Sequence, residues 1–242
     1  MRIELNCDAG ESYGPWPMGQ DDALIPLVSA VNIACGAHAG DPVTMARTIA
    51  LALAAGAAIG AHPGYPDRDG FGRRDLAMSA EELEASVLFQ VSALVGMARA
   101  AGGEVRHVKA HGALYNAAYR DVPLAEAIVR AVRRCSAGFI VLGQPGSALL
   151  AAAEAAGLAT QAEGFADRAY EADGSLRSRR LPGAVQSDPA VAAAQVVALA
   201  ASGRFATFCV HGDTPGAPAI ATAVRAALVA AGHEVPGGRA PR

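Results

Sequence analysis

The stretch VNIACGAHAGDP, residues 31–42, reads as one structural unit in miniature. An apolar run over 31–35 suits a buried strand, glycine and alanine then take over, and Asp41-Pro42 places a proline in the first turn of a helix. One histidine, His38, stands in the connection among residues with almost no side chain. The arrangement returns in IGAHPG at 59–64, VKAHGA at 108–113 and FCVHGD at 208–213, so four of the six histidines follow a β-type run.

Working outward from that unit, short β-type runs alternate with alanine- and leucine-rich helical stretches. Strands are predicted near 2–7, 31–35, 57–61, 105–110, 138–143, 158–163 and 205–210. Helices are predicted near 20–29, 42–55, 79–101, 121–134, 146–156, 187–202 and 216–231. Ser79 with Glu82 fits a capping box, and Gly56, Gly102, Gly157, Gly203 and Gly232 mark helix ends. Strands alternating with helices imply right-handed βαβ units and a parallel sheet. Seven units predict a closed or nearly closed (β/α) barrel spanning 1–242 as a single domain, a length ordinary for such folds. No linker divides the chain, and Pro236–Arg242 reads as a disordered tail.

The composition excludes several classes. A net charge of −3 and 5% aromatic residues argue against nucleic-acid binding, which calls for basic patches and stacking platforms. The start, MRIELNCD, has no apolar stretch to act as a secretory signal, and the longest apolar run, 49–61, is too short to span a bilayer. Four scattered cysteines without a CxxC pair suit a reduced cytoplasmic protein.

In a parallel barrel the active site gathers at the C-terminal ends of the strands. Those ends here carry Asp8, His38, His62, Lys109 with His111, Gln144, Glu163 with Asp167, and His211 with Asp213. His107, Lys109 and His111 alternate on one strand face, whereas His233 falls after a helix and reads as surface. Lys109 is the only lysine among 20 basic residues. A position that keeps lysine where arginine is otherwise used suits a compact charge whose pKa can fall on burial. Asp8, His38 and His62 form an oxygen–nitrogen–nitrogen set suited to zinc or a similar divalent ion with an open position, or else a metal-free hydrogen-bonding pocket. There is no GxxxxGK[ST] loop and no GxGxxG after a strand. Two long connections, 62–78 and 164–184, carry Arg73 and Arg74, and Arg168, Arg177, Arg179 and Arg180; their arginines suit carboxylate or phosphate recognition.

The motifs LNCDAGESYG (5–14), VNIACGAHAGDP (31–42), IGAHPGYPDRDGFGRR (59–74), HVKAHGALYN (107–116), EGFADRAY (163–170) and CVHGDTPGA (209–217) together resemble the motif series of the LamB/YcsF family, the family of the 5-oxoprolinase A subunit. They cover nearly the whole chain in order. Two departures stand out: Ala110 where family members usually read VKPHGALYN, and Gly164 where they read EVFADRAY. The resemblance implies a distorted TIM-like, seven-stranded barrel of the glycoside hydrolase and deacetylase type. It also implies an ATP-dependent hydrolase that opens the lactam of 5-oxo-L-proline to L-glutamate together with subunits B and C, with the place of ATP in the complex open.

That chemistry suits the residues. A lactam carbonyl is a poor electrophile, so the expected catalytic set is Lys109, His111, Asp8, Glu163 and His211: Lys109 for the developing oxyanion, and a carboxylate or histidine to activate water. The expected substrate-binding set is His38, His62, Arg73, Asp167, Arg168 and Asp213, with Arg73 or Arg168 pairing the substrate carboxylate. Two other readings stay open at this point, a stand-alone metal-dependent deacetylase-like hydrolase and a non-catalytic substrate carrier within the complex.

Overall fold

The computed structural model describes residues 1–171, 174–179 and 181–237. Seven parallel strands close into a barrel in chain order: β1 (Glu4–Ala9), β2 (Ala30–Ala34), β3 (Ala58–His62), β4 (Val105–Lys109), β5 (Ile140–Gly143), β6 (Ala159–Phe165) and β7 (Thr207–His211). Closure is made by β1 against β7, with Asn6 opposite Cys209 and Asp8 opposite His211. All seven strands lie within about two residues of the positions read from the sequence.

Among the described residues, eight α-helices connect or follow the strands: α1 (Asp21–Leu24), α2 (Pro42–Ala55), α3 (Ala80–Ala100), α4 (Gly112–Ala117), α5 (Val122–Cys135), α6 (Ala148–Ala155), α7 (Pro189–Ala201) and α8 (Ala217–Ala230). The Asp41 carboxylate accepts from Val43 and Thr44 at the start of α2, and Gly56 closes that helix with φ 68°. Ser79 and Glu82 make the expected capping box. Two elements differ from the sequence reading. The helix expected over 20–29 is the four-residue α1 followed by a 3-10 turn at Ile25–Leu27, because Pro26 has no N–H to continue an α-helix. The short α4 begins on a glycine with no side-chain cap, so nothing in its sequence announces it. Of the expected tail, Pro236 and Gly237 are described, and Arg225 bonds the Val235 carbonyl at 2.8 Å; residues 238–242 lie outside the described residues.

The strands alternate faces, as a pleated strand must. Leu5 and Cys7, Val31 and Ile33, Ile59 and Ala61, and Phe208 and Val210 are buried in one hydrophobic layer shared with the helices. Fully burying each of the larger side chains is worth about 1.5–3 kcal/mol. By length and composition α3 could cross a membrane, but its face of Leu83, Val87, Val91 and Leu94 packs in this layer, as a barrel helix does. The alternate residues turn into the barrel, and most of them are polar.

Candidate active site

A hydrogen-bonded ladder of buried side chains fills the barrel. Asn6 donates to Thr207 Oγ1 at 2.8 Å, and Asn32 donates to Asn6 Oδ1 at 2.7 Å and to Asp8 Oδ1 at 2.8 Å. His107 Nε2 meets Asn32 Oδ1 at 2.8 Å, which fixes Nε2 as the protonated nitrogen because an amide oxygen only accepts. Burial is the main cause that draws the His107 pKa down to about 3, so the ring is neutral. There is no room for a side chain at residue 60: a Cβ on Gly60 would lie 1.9 Å from His107 Nε2.

Lys109 stands above this ladder and is 2% exposed. Its Nζ donates to Asp8 Oδ1 at 2.8 Å and to Cys209 Sγ at 2.9 Å, and lies 3.0 Å from Glu163 Oε1 in an ion pair that lacks hydrogen-bond geometry. Burial opposes the charge, but the neighbouring groups, Asp8 foremost, more than offset it, and the pKa rises well above that of ordinary lysine. The fall that burial can impose on a lysine is overridden here: two carboxylates hold the proton on. Asp8 shows the mirror image, since burial raises its pKa while His62 and Lys109 bring it well below the carboxylate range.

His62 and His111 sit beside Asp8. His62 Nδ1 donates to the Lys109 carbonyl at 2.8 Å, and His111 Nε2 donates to the Phe71 carbonyl at 2.9 Å. Their other nitrogens face each other at 3.0 Å, and His62 Nε2 is 3.3 Å from Asp8 Oδ2. His38 stacks on His111 with ring centroids 3.7 Å apart and planes 3° from parallel. Glu11 Oε1 lies 3.5 Å from both His38 Nε2 and His111 Nδ1. Phe71, with φ 54°, turns its ring edge-on to His38 and His111 in a backbone conformation that costs a non-glycine residue energy. Small neighbours make this packing possible: a Cβ on Gly72 would fall 2.7 Å from His38 Cβ and 2.9 Å from His111 Cδ2. Burial is the main cause that lowers the pKa values of His38 and His111 and raises that of Glu11. Glu11, His38, His62 and His111 form a group whose donor atoms all lie within 4.8 Å of one another and which could hold a metal ion. Asp8, expected in such a set, instead groups with Cys209 and His211, and its Oδ1 is taken by Lys109 and Asn32.

On the other side of Asp8, His211 Nδ1 donates to Asp167 Oδ1 at 2.8 Å, and the Asp167 carboxylate also accepts from the His211 backbone and from Thr214. This leaves His211 Nε2 directed toward Asp8 Oδ2, 3.9 Å away. Above these groups opens a cavity of about 580 Å³, lined among others by Asp8, His62, Lys109, His111, Gln144 and His211. Arg73 and Arg168 also line it. Arg73 pairs with Asp213 at 2.7 Å, and Arg179 lies 3.8 Å from the same carboxylate. Arg168 bonds the carbonyls of Ala184 and Arg177, so it holds the 166–188 connection together as well as facing the cavity. Burial, with Arg179 next in weight, draws its pKa down to about 10. Arg180, from the same stretch, lies outside the described residues. The expected residues thus come together at one end of the barrel; Glu163, Asp167, Asp213 and His38 stand behind the cavity-lining groups, each in contact with one of them or with Glu11.

The LamB/YcsF family pattern matches residues 3–240. The chain belongs to the LamB/YcsF family. It is 50% identical over 245 residues to the 5-oxoprolinase A subunit of Methylococcus capsulatus, covering 96% of this chain and 94% of that one. It is 52% identical over 246 residues to the protein of the same name from Rhodopseudomonas palustris, covering 96% of each. The crystal structure of a lactam utilization protein from Thermus thermophilus superposes with a TM-score of 0.90 at 43% identity, covering 97% of this chain and 99% of that one. At the level of fold alone, the catalytic domain of a peptidoglycan N-acetylglucosamine deacetylase from Eubacterium rectale shares the barrel, with a TM-score of 0.53 and 11% identity over 99% of this chain and 92% of that one.

Of the two departures from the LamB/YcsF motifs, Gly164 has a visible reason. A Cβ there would lie 2.6 Å from the Phe208 ring, so phenylalanine on β7 occupies the space that valine would need on β6. Ala110 is buried, and the next residue, His111, donates its backbone N–H to the Pro63 carbonyl at 2.8 Å. Sequence reasoning missed Glu11, Asn32 and Cys209. Glu11 lies inside the quoted LNCDAGESYG motif, and Asn32 alternates with apolar residues in β2; a polar residue on the inward phase of a barrel strand was the signal for the latter.

Proposed function

We propose that the chain is the A subunit of an ATP-dependent 5-oxoprolinase and carries the chemistry that opens 5-oxo-L-proline to L-glutamate. The observation that carries this reading is the buried Lys109 ammonium, held between Asp8 and Glu163 at the floor of a cavity whose rim bears Arg73 and Arg168. A five-membered lactam with one carboxylate fits such a site: the guanidinium groups take the carboxylate, and the ammonium takes the carbonyl oxygen. Of the two acceptors on Lys109 Nζ, the Cys209 sulfur is the weaker, and the substrate oxygen replaces it.

His211 is the base. Asp167 fixes its tautomer, and Nε2 takes a proton from water as the water oxygen bonds to the lactam carbonyl carbon. The same nitrogen returns the proton to the ring nitrogen as the C–N bond breaks, and the carboxylic acid so formed passes its remaining proton to the freed amine, leaving an ammonium and a carboxylate. Lys109 balances the charge on the carbonyl oxygen throughout. ATP supplies the driving force within the complex formed with subunits B and C, and we assign it no site on this chain. Work in the cytoplasm is in keeping with the four free cysteines.

The test is reconstitution. The purified chain alone, with ATP and magnesium, is expected to release no glutamate from 5-oxoproline, and addition of subunits B and C is expected to start release. Robust glutamate release by the chain alone, or release by B and C without it, contradicts the proposal.

A further inference from the structure

The histidine cluster contains a mismatch of protons and lone pairs. Carbonyl oxygens only accept, so His62 Nδ1 and His111 Nε2 both carry hydrogen. The two remaining nitrogens then face each other at 3.0 Å in a buried place, with Asp8 Oδ2 3.3 Å from the His62 one, and neither has an N–H of its neutral tautomer to offer the other. Among the described residues, Glu11 Oε1 and both ring nitrogens of His38 make no hydrogen bond, although both side chains are at least nine-tenths buried. Buried polar atoms without partners are uncommon and call for an explanation. A shared proton would satisfy His62 and His111 and leave Glu11 and His38 unexplained. A metal ion takes up the His62 and His111 lone pairs and Glu11 Oε1 together, and one nitrogen of His38 once that ring turns.

We propose that Glu11, His62 and His111 hold one divalent transition-metal ion, with His38 at its fourth side. Three imidazole nitrogens and one carboxylate oxygen suit zinc or a similar first-row ion rather than magnesium or calcium, which prefer oxygen. Ligands at about 2.0–2.1 Å from a tetrahedral ion stand about 3.3–3.4 Å apart. The separations here are 3.0 Å between His62 and His111, 3.5 Å between His111 and Glu11, and 3.5 Å between Glu11 and His38. Anchoring the second ring nitrogen on a backbone carbonyl is how proteins orient ligating histidines, and His62 and His111 both show it. The parallel rings of His38 and His111 cannot both aim a lone pair at one point, so His38 joins only after its ring turns. Its side is therefore the position open to exchange. The site does not depend on 5-oxoproline being the substrate.

The test uses the full chain, stripped by chelator dialysis and titrated with Zn²⁺, Co²⁺ or Mg²⁺. The proposal expects about one equivalent of Zn²⁺ by elemental analysis, visible-region absorption of a low-symmetry Co²⁺ site, and no comparable Mg²⁺ binding. Glu11→Gln, which keeps the shape of the side chain, and His111→Gln should each weaken Zn²⁺ binding by at least about tenfold. His233→Gln, in a half-buried histidine that follows α8, should bind as the unaltered chain does. A stripped wild-type chain that takes up less than about a tenth of an equivalent of Zn²⁺ overturns the proposal, as does unchanged Zn²⁺ affinity in both Glu11→Gln and His111→Gln.

Discussion

Lys109 Nζ and Asp8 Oδ1 lie 2.8 Å apart in the centre of the barrel, and both residues are about 2% exposed. The ammonium is the counter-ion of a second carboxylate, Glu163, as well. Removing it leaves two buried negative charges facing each other. Lys109→Met should therefore destabilise the fold by about 3–5 kcal/mol, the usual cost of stripping one partner from a buried ion pair. Urea unfolding followed by circular dichroism reads this directly. A variant as stable as the wild type would mean that solvent reaches the pair.

The inward ladder makes a prediction about pH. The ordinary histidine pKa is 6.5, and that of His107 in the fold is about 3, so between these values the unfolded chain binds the extra proton and the folded chain does not. Unfolding free energy should consequently fall as pH drops from about 6.5 toward 3, and the contribution is fully present above 6.5. The lowered pKa values of His38 and His111 act in the same direction. Replacing His107 by glutamine should flatten the slope of urea midpoint against pH below 6.5. An unchanged slope would place the acid sensitivity elsewhere.

The space behind β6 yields a test of packing. Gly164→Val restores the residue usual in the family, yet its Cβ meets the Phe208 ring at 2.6 Å. The substitution should cost about 1–3 kcal/mol through overpacking. Combining it with Phe208→Leu, which trims the facing ring, should recover part of the loss. Additive effects of the two changes, measured as a double-mutant cycle, would show that the residues do not share the space.

Cys209 offers a finer probe of the lysine. Its thiol, with a pKa raised chiefly by burial, accepts one Lys109 proton and bears no reactive part in the scheme. Cys209→Ala should leave glutamate production by the complex largely intact, because the substrate oxygen is to take that proton. A loss of activity as deep as that of a Lys109 variant would make the sulfur a participant.

The barrel was legible in the sequence because its signals are local: apolar runs, proline and aspartate at helix starts, glycine at helix ends. The strand ends likewise placed the histidines at one rim. What the sequence did not show depends on pairs of residues from distant strands. Glu11 is an ordinary acidic residue in a turn until the fold sets it 3.5 Å from His38 and His111. Cys209 read as a buried thiol of no consequence until β7 closed against β1 beneath Lys109. The direction of the Lys109 pKa was not legible for the same reason, since the two carboxylates that raise it reach Lys109 only across the closed barrel. His233 read as surface, and the fold half-buries it. Arg168 read as a substrate ligand; the structure gives it the additional task of holding its own loop.

The central claim is that Lys109 acts as a compact charge in a space cut to its size. Lys109→Arg keeps the charge and replaces a point donor with a wide planar fork among Asp8, Cys209 and Glu163. The decisive measurement is glutamate production from 5-oxoproline by Lys109→Arg in the presence of subunits B and C, ATP and magnesium. The account predicts a loss of about a hundredfold or more in turnover, the usual cost of misplacing one preorganised electrostatic donor. Production near the wild-type rate would contradict it and move the catalytic role from Lys109 to another group.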